Sequence, residues 1–204
     1  MDEFGLITRY FKPLDGTREG LSLGIGDDGA VIKPRRGRSI VVSVDTLVEG
    51  RHFPASLDAY SVGFRAAASS LSDLAAMGAF PLYATLALTL PELDEIWVSS
   101  FASGFGDSIQ KSDTVLIGGD TTRGPLSVTV QVIGDVEHDN HLSRAGAKPN
   151  DIVAVSGTLG DARGGLELLS GSEPGSYKKF LLNRFRLPTP RVNLGLALSD
   201  FASA

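Results

Sequence analysis

Apolar positions along the chain fall into two rhythms, one helical and one of strand period. Phe4, Ile7, Tyr10 and Phe11 lie on one helical face and predict a short helix ended by Pro13. The β-branched run from Ser39 to Val44 predicts a strand ending at Asp45. Asp58 is placed to cap a long helix reaching Ala76, with Val62, Ala66, Leu71, Leu74 and Met77 near one stripe and Gly78 as its stop. The stretch PLYATLALTLP predicts the next strand. Pro91 suits the first turn of a further helix that turns Leu93, Ile96, Trp97, Phe101 and Phe105 inward. Thr114 to Ile117 and Leu126 to Ile133 predict two more strands, with GGDTTRGP between them. Strands mixed with helices of crossover length give an α/β (α+β) class, one sheet covered by helices.

Past Asp135 the pattern breaks into the polar, turn-forming EHDNHLSRAGAKPND before a new apolar run from Ile152 to Val155. This predicts a first domain over residues 1–137, and over 138–204 a linker and the start of a second. Gly157 and Gly160 lead into a helix from Ala162 to Leu169, SGSEPGS forms a flexible joint, and RVNLGLALSDFASA is a last helix. A domain beginning near Asp151 and stopping at Ala204 is short for a complete unit, so an incomplete α+β second domain is expected.

Composition narrows the function classes. With 204 residues, 42% of them hydrophobic, the chain can bury one substantial core. A net charge of −5 and no extended basic face argue against salt-dependent nucleic-acid binding. The absence of cysteine excludes disulfides, thiolate zinc sites and a cysteine nucleophile, and agrees with a reducing cytoplasm. The amino end, MDEFGLITRYF, has neither the apolar core nor the cleavage pattern of a signal peptide or membrane anchor, so a soluble cytoplasmic protein is expected.

The glycines of LGIGDDGAVI, Gly24, Gly26 and Gly29, have the spacing of a dinucleotide-binding loop. Their surroundings do not: the preceding DGTREGLSLG is polar and turn-rich, and Ala30-Val31-Ile32 reads as a strand stopped by Pro34, where a Rossmann turn needs strand before and helix after. Asp27 and Asp28 would also repel a bare pyrophosphate. Either they bond their own backbone in a tight turn, or a cation stands between them and phosphates, as magnesium does. Three other aspartates occupy comparable settings. Asp45 and Asp120 follow predicted strands, Asp120 through Gly118 and Gly119, and Asp73 interrupts the small-residue helix RAAASSLSDLAAMG. A carboxylate among small apolar residues needs solvent or a positive partner. Together these predict a metal cluster that would neutralise phosphate charge in place of a Walker lysine, a chemistry suited to phosphoryl transfer.

The stretches GIGDDGAV, VSVDTLVEGRHF, SSLSDLAAMGAFPLYATLALTLP, LIGGDTTRGPLSVTV and LSRAGAKPNDIVAVSGTLGDA together resemble the thiamine-monophosphate kinase family, of the superfamily that includes aminoimidazole ribonucleotide synthetase. The match spans nearly the whole chain. It implies ATP-dependent phosphorylation of thiamine monophosphate to thiamine diphosphate with several Mg2+ ions. It also implies a homodimer whose amino-terminal sheets pair into a barrel, with active sites near that interface. By position, Asp28, Asp45, Asp73 and Asp120 resemble the family's magnesium ligands, with Ser43 and Val44 adding side-chain or backbone oxygen. Gly119, Asp120 and Arg144 match its ATP positions, and His52 a substrate-contacting one. His138 and His141 read as solvated. The family's second aspartate-rich motif would begin past Ala204, so this chain is expected to be a truncated, inactive form. The competing readings are another ATP-using enzyme of the superfamily, with selenophosphate synthetase disfavoured by the missing cysteine, and a non-catalytic, dimerising nucleotide-binding fragment.

Overall fold

The computed structural model of the chain describes residues 3–138, 140–169 and 177–204. The joint expected over SGSEPGS lies outside the described residues. The amino end begins with α1 (Glu3–Leu6), passes through a π-helical turn (Ile7–Phe11) and closes with a 3-10 turn (Lys12–Leu14) that contains Pro13 instead of stopping before it. The wider π turn breaks the expected face: Leu6 and Phe11 are buried, whereas Phe4 is 78% exposed.

A two-stranded hairpin follows, β1 (Leu21–Leu23) against β2 (Val31–Ile32), with the glycine loop at its tip. The polar segment before the glycines therefore does contain a short strand. The remaining strands are β3 (Arg38–Val48), β4 (Phe80–Leu90), β5 (Val115–Arg123) and β6 (Ser127–Glu137), in one sheet of order β3-β6-β4-β5. Helix α2 (Ala59–Ala76) connects β3 to β4, and α3 (Glu95–Lys111) connects β4 to β5. The β4–β5 pair is parallel, and β6 inserts antiparallel between β3 and β4, so the expected helix-covered sheet is a mixed one.

Helix α2 forms where the sequence placed it: the Asp58 side chain accepts from Ser61 N–H at 2.8 Å, and Gly78 takes the left-handed φ of +66° that ends it. Its apolar face buries Val62, Leu71 and Leu74 completely, each worth about 1.5–3 kcal/mol in removal from water. Helices α2 and α3 meet backbone to backbone because a Cβ at Gly63 would stand 2.2 Å from Phe101 O, and one at Gly104 2.0 Å from Tyr60 O. Helix α3 starts later than Pro91 suggests: Asp94 caps it by accepting from Ile96 and Trp97 N–H. That shift sends Ile96 (83%) and Leu93 (41%) to solvent, leaving Phe101 and Phe105 in the core.

The helix-covered face of the sheet carries Val128, Val130 and Val132 of β6 and Ala84, Leu86 and Leu88 of β4, all buried. On β3 the register puts Val41, Ser43, Asp45 and Leu47 on this same face, so Ile40, Val42 and Val44 point away and are 42–57% exposed. A second, smaller core of Leu82, Tyr83 and Ile117 lies beneath the β1–β2 hairpin. After β6 the described residues show no regular structure before α4 (Asp161–Leu169), which is followed by α5 (Lys178–Arg186) and α6 (Val192–Leu198). Within 138–204, Phe185 joins the main core, while Ile152 and Val153 are more than 90% exposed.

Candidate functional site

Two of the expected aspartates lie inside strands, not after them: Asp45 is in the middle of β3, and β5 continues through Gly118, Gly119 and Asp120 to Arg123. The continuation of β5 requires a bulge at Ile117, where the pairing with β4 shifts. Gly119 then takes a φ of +155°, and a Cβ there would come within 1.9 Å of Leu86 O, so only glycine fits.

This bulge forms one wall of a cavity of about 360 Å³ at the β5 edge. The tip of the hairpin, Ile25 to Gly29, forms a second wall, and Phe4, Ile7 and Phe11 of the amino-terminal turns a third. The cavity is thus apolar on one side and lined by Asp27, Asp28, Asp120 and the Gly118–Gly119 backbone on the other. Asp27 turns out to be a turn residue, its Oδ1 accepting from Asp28 N–H at 2.9 Å. Asp28 and Asp120 have no ion-pair partner among the described residues. Lys12, which the sequence reading passed over, holds the loop from outside: its ammonium donates to Ile25 O and pairs with Asp15 at 2.7 Å.

The second set of site residues gathers under α2. Ser43 Oγ donates to Asp73 Oδ2 at 2.5 Å, so strand and helix meet through a polar contact in a largely apolar layer. Partial burial, then the charge of Asp73, push the Asp45 carboxyl above its ordinary range, and His52 opposes them. His52 Nδ1 accepts from Val48 N–H at 2.9 Å, which selects the tautomer that carries its proton on Nε2. Val44 lies between these residues in the ladder, paired with Gln131, its side chain on the opposite, exposed face. Arg144 is exposed and outside the cavity wall.

Within one chain the four aspartates fall into two groups. Strands β3 and β5 are the two edges of the sheet, three strand spacings or about 14 Å apart, so Asp45 with Asp73 and Asp28 with Asp120 form separate groups. Among the described residues no three acidic or histidine side chains converge closely enough to hold a metal ion. The donor chemistry nonetheless suits a hard cation: all are carboxylate or hydroxyl oxygens, and beside the Asp45–Asp73 pair only His52, among the described residues, offsets part of the repulsion. None of the described helices is long and apolar enough to cross a membrane.

Comparison with known proteins places these features in a family. The family model described as AIR synthase related protein, N-terminal domain, matches residues 26–136. The thiamine-monophosphate kinase of Escherichia coli K12 is 44% identical over 205 residues, covering 99% of this chain and 63% of the relative, so the chain spans a little under two thirds of its length. Among solved structures, a thiamine-monophosphate kinase from Stenotrophomonas maltophilia K279a superposes with a TM-score of 0.88 at 44% identity, covering 99% of this chain and 66% of that one. The structure described as AaThiL complexed with AMPPCP and TMP gives a TM-score of 0.78 at 32% identity, covering 99% and 64%.

Proposed function

The chain belongs to the AIR synthase related protein family through its N-terminal domain, and from that membership we propose that the protein it represents is a thiamine-monophosphate kinase. In this reading ATP donates its γ-phosphoryl group to the phosphate of thiamine monophosphate, giving thiamine diphosphate and ADP. The observation that carries it is the two-sided cavity at the β5 edge: an aromatic wall suited to a base, opposite carboxylates and open backbone suited to a cation-bound phosphate chain. A relative whose solved structure is described as containing AMPPCP and TMP supports the same pair of substrates.

Asp28, Asp45, Asp73 and Asp120, with Ser43 and Val44 oxygens, are the residues that would hold Mg2+, which supplies charge neutralisation for the phosphates. Gly119 lets the β5 backbone approach the nucleotide without a side chain in the way, Arg144 offers a planar fork for phosphate oxygens, and His52 presents its Nε2 proton to the acceptor substrate. These roles follow the family pattern position by position.

A homodimer belongs to the same proposal. Ile40, Val42 and Val44 form an exposed apolar row on an edge strand, a surface that proteins rarely leave open. Pairing two such sheets into a barrel would cover it, and would let the β3 edge of one copy approach the β5 edge of the other. The two carboxylate groups, about 14 Å apart within a chain, would then serve one site. We place the protein in the cytoplasm and read residues 1–137 as the nucleotide-binding and dimerisation domain, with 138–204 a linker and the start of a second domain.

The test is ADP and thiamine diphosphate formation from ATP and thiamine monophosphate, by this chain and by the whole protein. The whole protein is expected to turn over, and the 204-residue chain to bind Mg-ATP weakly without product. A whole protein that makes no thiamine diphosphate overturns the proposal. Mixing Asp45→Asn with Asp120→Asn chains of the whole protein tests the shared site, since mixed dimers regain one intact set and with it part of the lost activity.

A further inference from the structure

The hairpin that carries the Asp27–Asp28 loop is too small to hold itself. Strand β1 has three residues and β2 two, with an irregular register, and an isolated two-stranded hairpin is at best marginal in water. Its core contact is the small cluster around Tyr83 and Ile117. At the far end from the loop, however, its flanking residues are fastened to the sheet. Asp135 of β6 is fully buried and accepts from Arg35 Nε at 2.6 Å, from a second Arg35 nitrogen, and from Arg38 Nε at 2.7 Å. Arg35 lies three residues past the end of β2, so this bidentate pair fixes the hairpin's outgoing end.

The incoming end is fixed beside it. Arg18 pairs with Asp113 at 3.1 Å, and Tyr83 Oη donates to Glu19 O at 3.2 Å. The Arg18 and Arg35 guanidiniums each lie 5.4 Å from the Phe80 ring centroid. Lys33 N–H then closes the base on Gly20 O at 2.7 Å. Both ends of the hairpin are thus tied to one corner of the sheet, and the aspartate loop projects from that corner into the cavity.

We propose that Arg35 and Asp135 are positioning residues for the Asp27–Asp28 loop: the ion pair of half-exposed Arg35 with buried Asp135 holds the hairpin so that the loop forms the cavity wall. The role rests on the nucleotide-binding reading of that cavity, but its structural half can be tested without it. A bidentate pair to a buried carboxylate has a single geometry, which an apolar contact does not replace and a lysine ammonium, keeping the charge without the fork, replaces only in part.

The test compares Arg35→Met, Arg35→Lys and Arg36→Met in this chain. Met keeps the packing over Phe80 and leaves Arg38 to neutralise Asp135, so the fold is retained. Arg36 is exposed, carries the same charge in the same segment, and has no ion pair among the described residues. Amide exchange of the hairpin, Lys33 N–H included, is expected to quicken about tenfold or more in Arg35→Met while α2 and α3 keep their protection. Mg-ATP affinity should fall by a similar factor, and Arg35→Lys should recover part of both. Unchanged hairpin exchange in Arg35→Met, even with a lowered melting temperature, overturns the proposal, as does an equal effect of Arg36→Met. A wild-type chain that binds no Mg-ATP counts against the nucleotide reading alone, and the exchange measurement then decides the anchor.

Discussion

Asp135 and Asp45 are both aspartates of adjacent, antiparallel strands, yet their surroundings are opposite. Asp135 is completely buried and is met by two guanidiniums. Asp45 is half-buried, faces a second carboxylate and has no ion-pair partner among the described residues. The fold spends two arginines on a carboxylate far from the cavity and none on those that line or approach it. Taking a charge out of water is costly unless it is paired. The difference therefore separates a structural carboxylate from those that leave room for a cation from solution.

The largest effect expected from this contrast is at the paired site. Asp135→Ala should cost about 2–4 kcal/mol in urea unfolding, below the top of the range for broken buried pairs because Arg35 and Arg38 can turn partly to water. A loss under about 0.5 kcal/mol would erase the distinction. Next is the response to metal. Calorimetric Mg-ATP affinity should drop at least about tenfold with excess chelator, since bare triphosphate meets only carboxylates on the loop side of the cavity. Equal affinity with and without magnesium would show that the unpaired aspartates are not cation sites.

Within the unpaired set, Asp120→Asn in the whole protein should reduce turnover more than Asp27→Asn, because Asp27 already spends an oxygen on its own turn. Comparable losses would mean the roles are misassigned. Without metal, Asp45→Asn should stabilise slightly, on the order of 0.5 kcal/mol, by removing repulsion from Asp73. A melting temperature unchanged in chelator and still raised by Mg2+ would contradict this.

The smallest effect concerns a carboxylate satisfied by a neutral donor. Tyr60 Oη donates to Asp107 at 2.5 Å, and this bond, with burial, pushes the phenol up to about 12. A pKa raised on folding gives stability that is full below the unfolded value near 10 and is lost as pH rises through about 12. Ultraviolet titration should place Tyr60 there, and Asp107→Asn should bring it back toward an ordinary tyrosine.

Much of the scaffold could be read in the residues because its signals are local. The Asp58 cap, the Gly78 stop and the β-branched runs each act within a few residues, and the family resemblance, carried by contiguous motifs, is matched by the relatives. Pro91 misled because Asp94, three residues on, supplies the stronger cap. Phe4 misled because a single π turn rotates the helical face, an event with no marker in the hydrophobic pattern.

The sequence by itself determined which residue types are available: oxygen donors and no thiols, glycines where backbone must come close, and a strand such as β3 that is apolar on both of its faces. Tertiary structure decided which of those donors are free. Whether an aspartate is neutralised depends on arginines 97 and 100 residues away, as for Asp135, and on a strand register that turns Ser43 and Asp45 toward α2 and Val44 outward. Electrostatic pairing acts through space and at short range. Its outcome is therefore fixed only when the chain has folded and distant segments share a corner of the sheet.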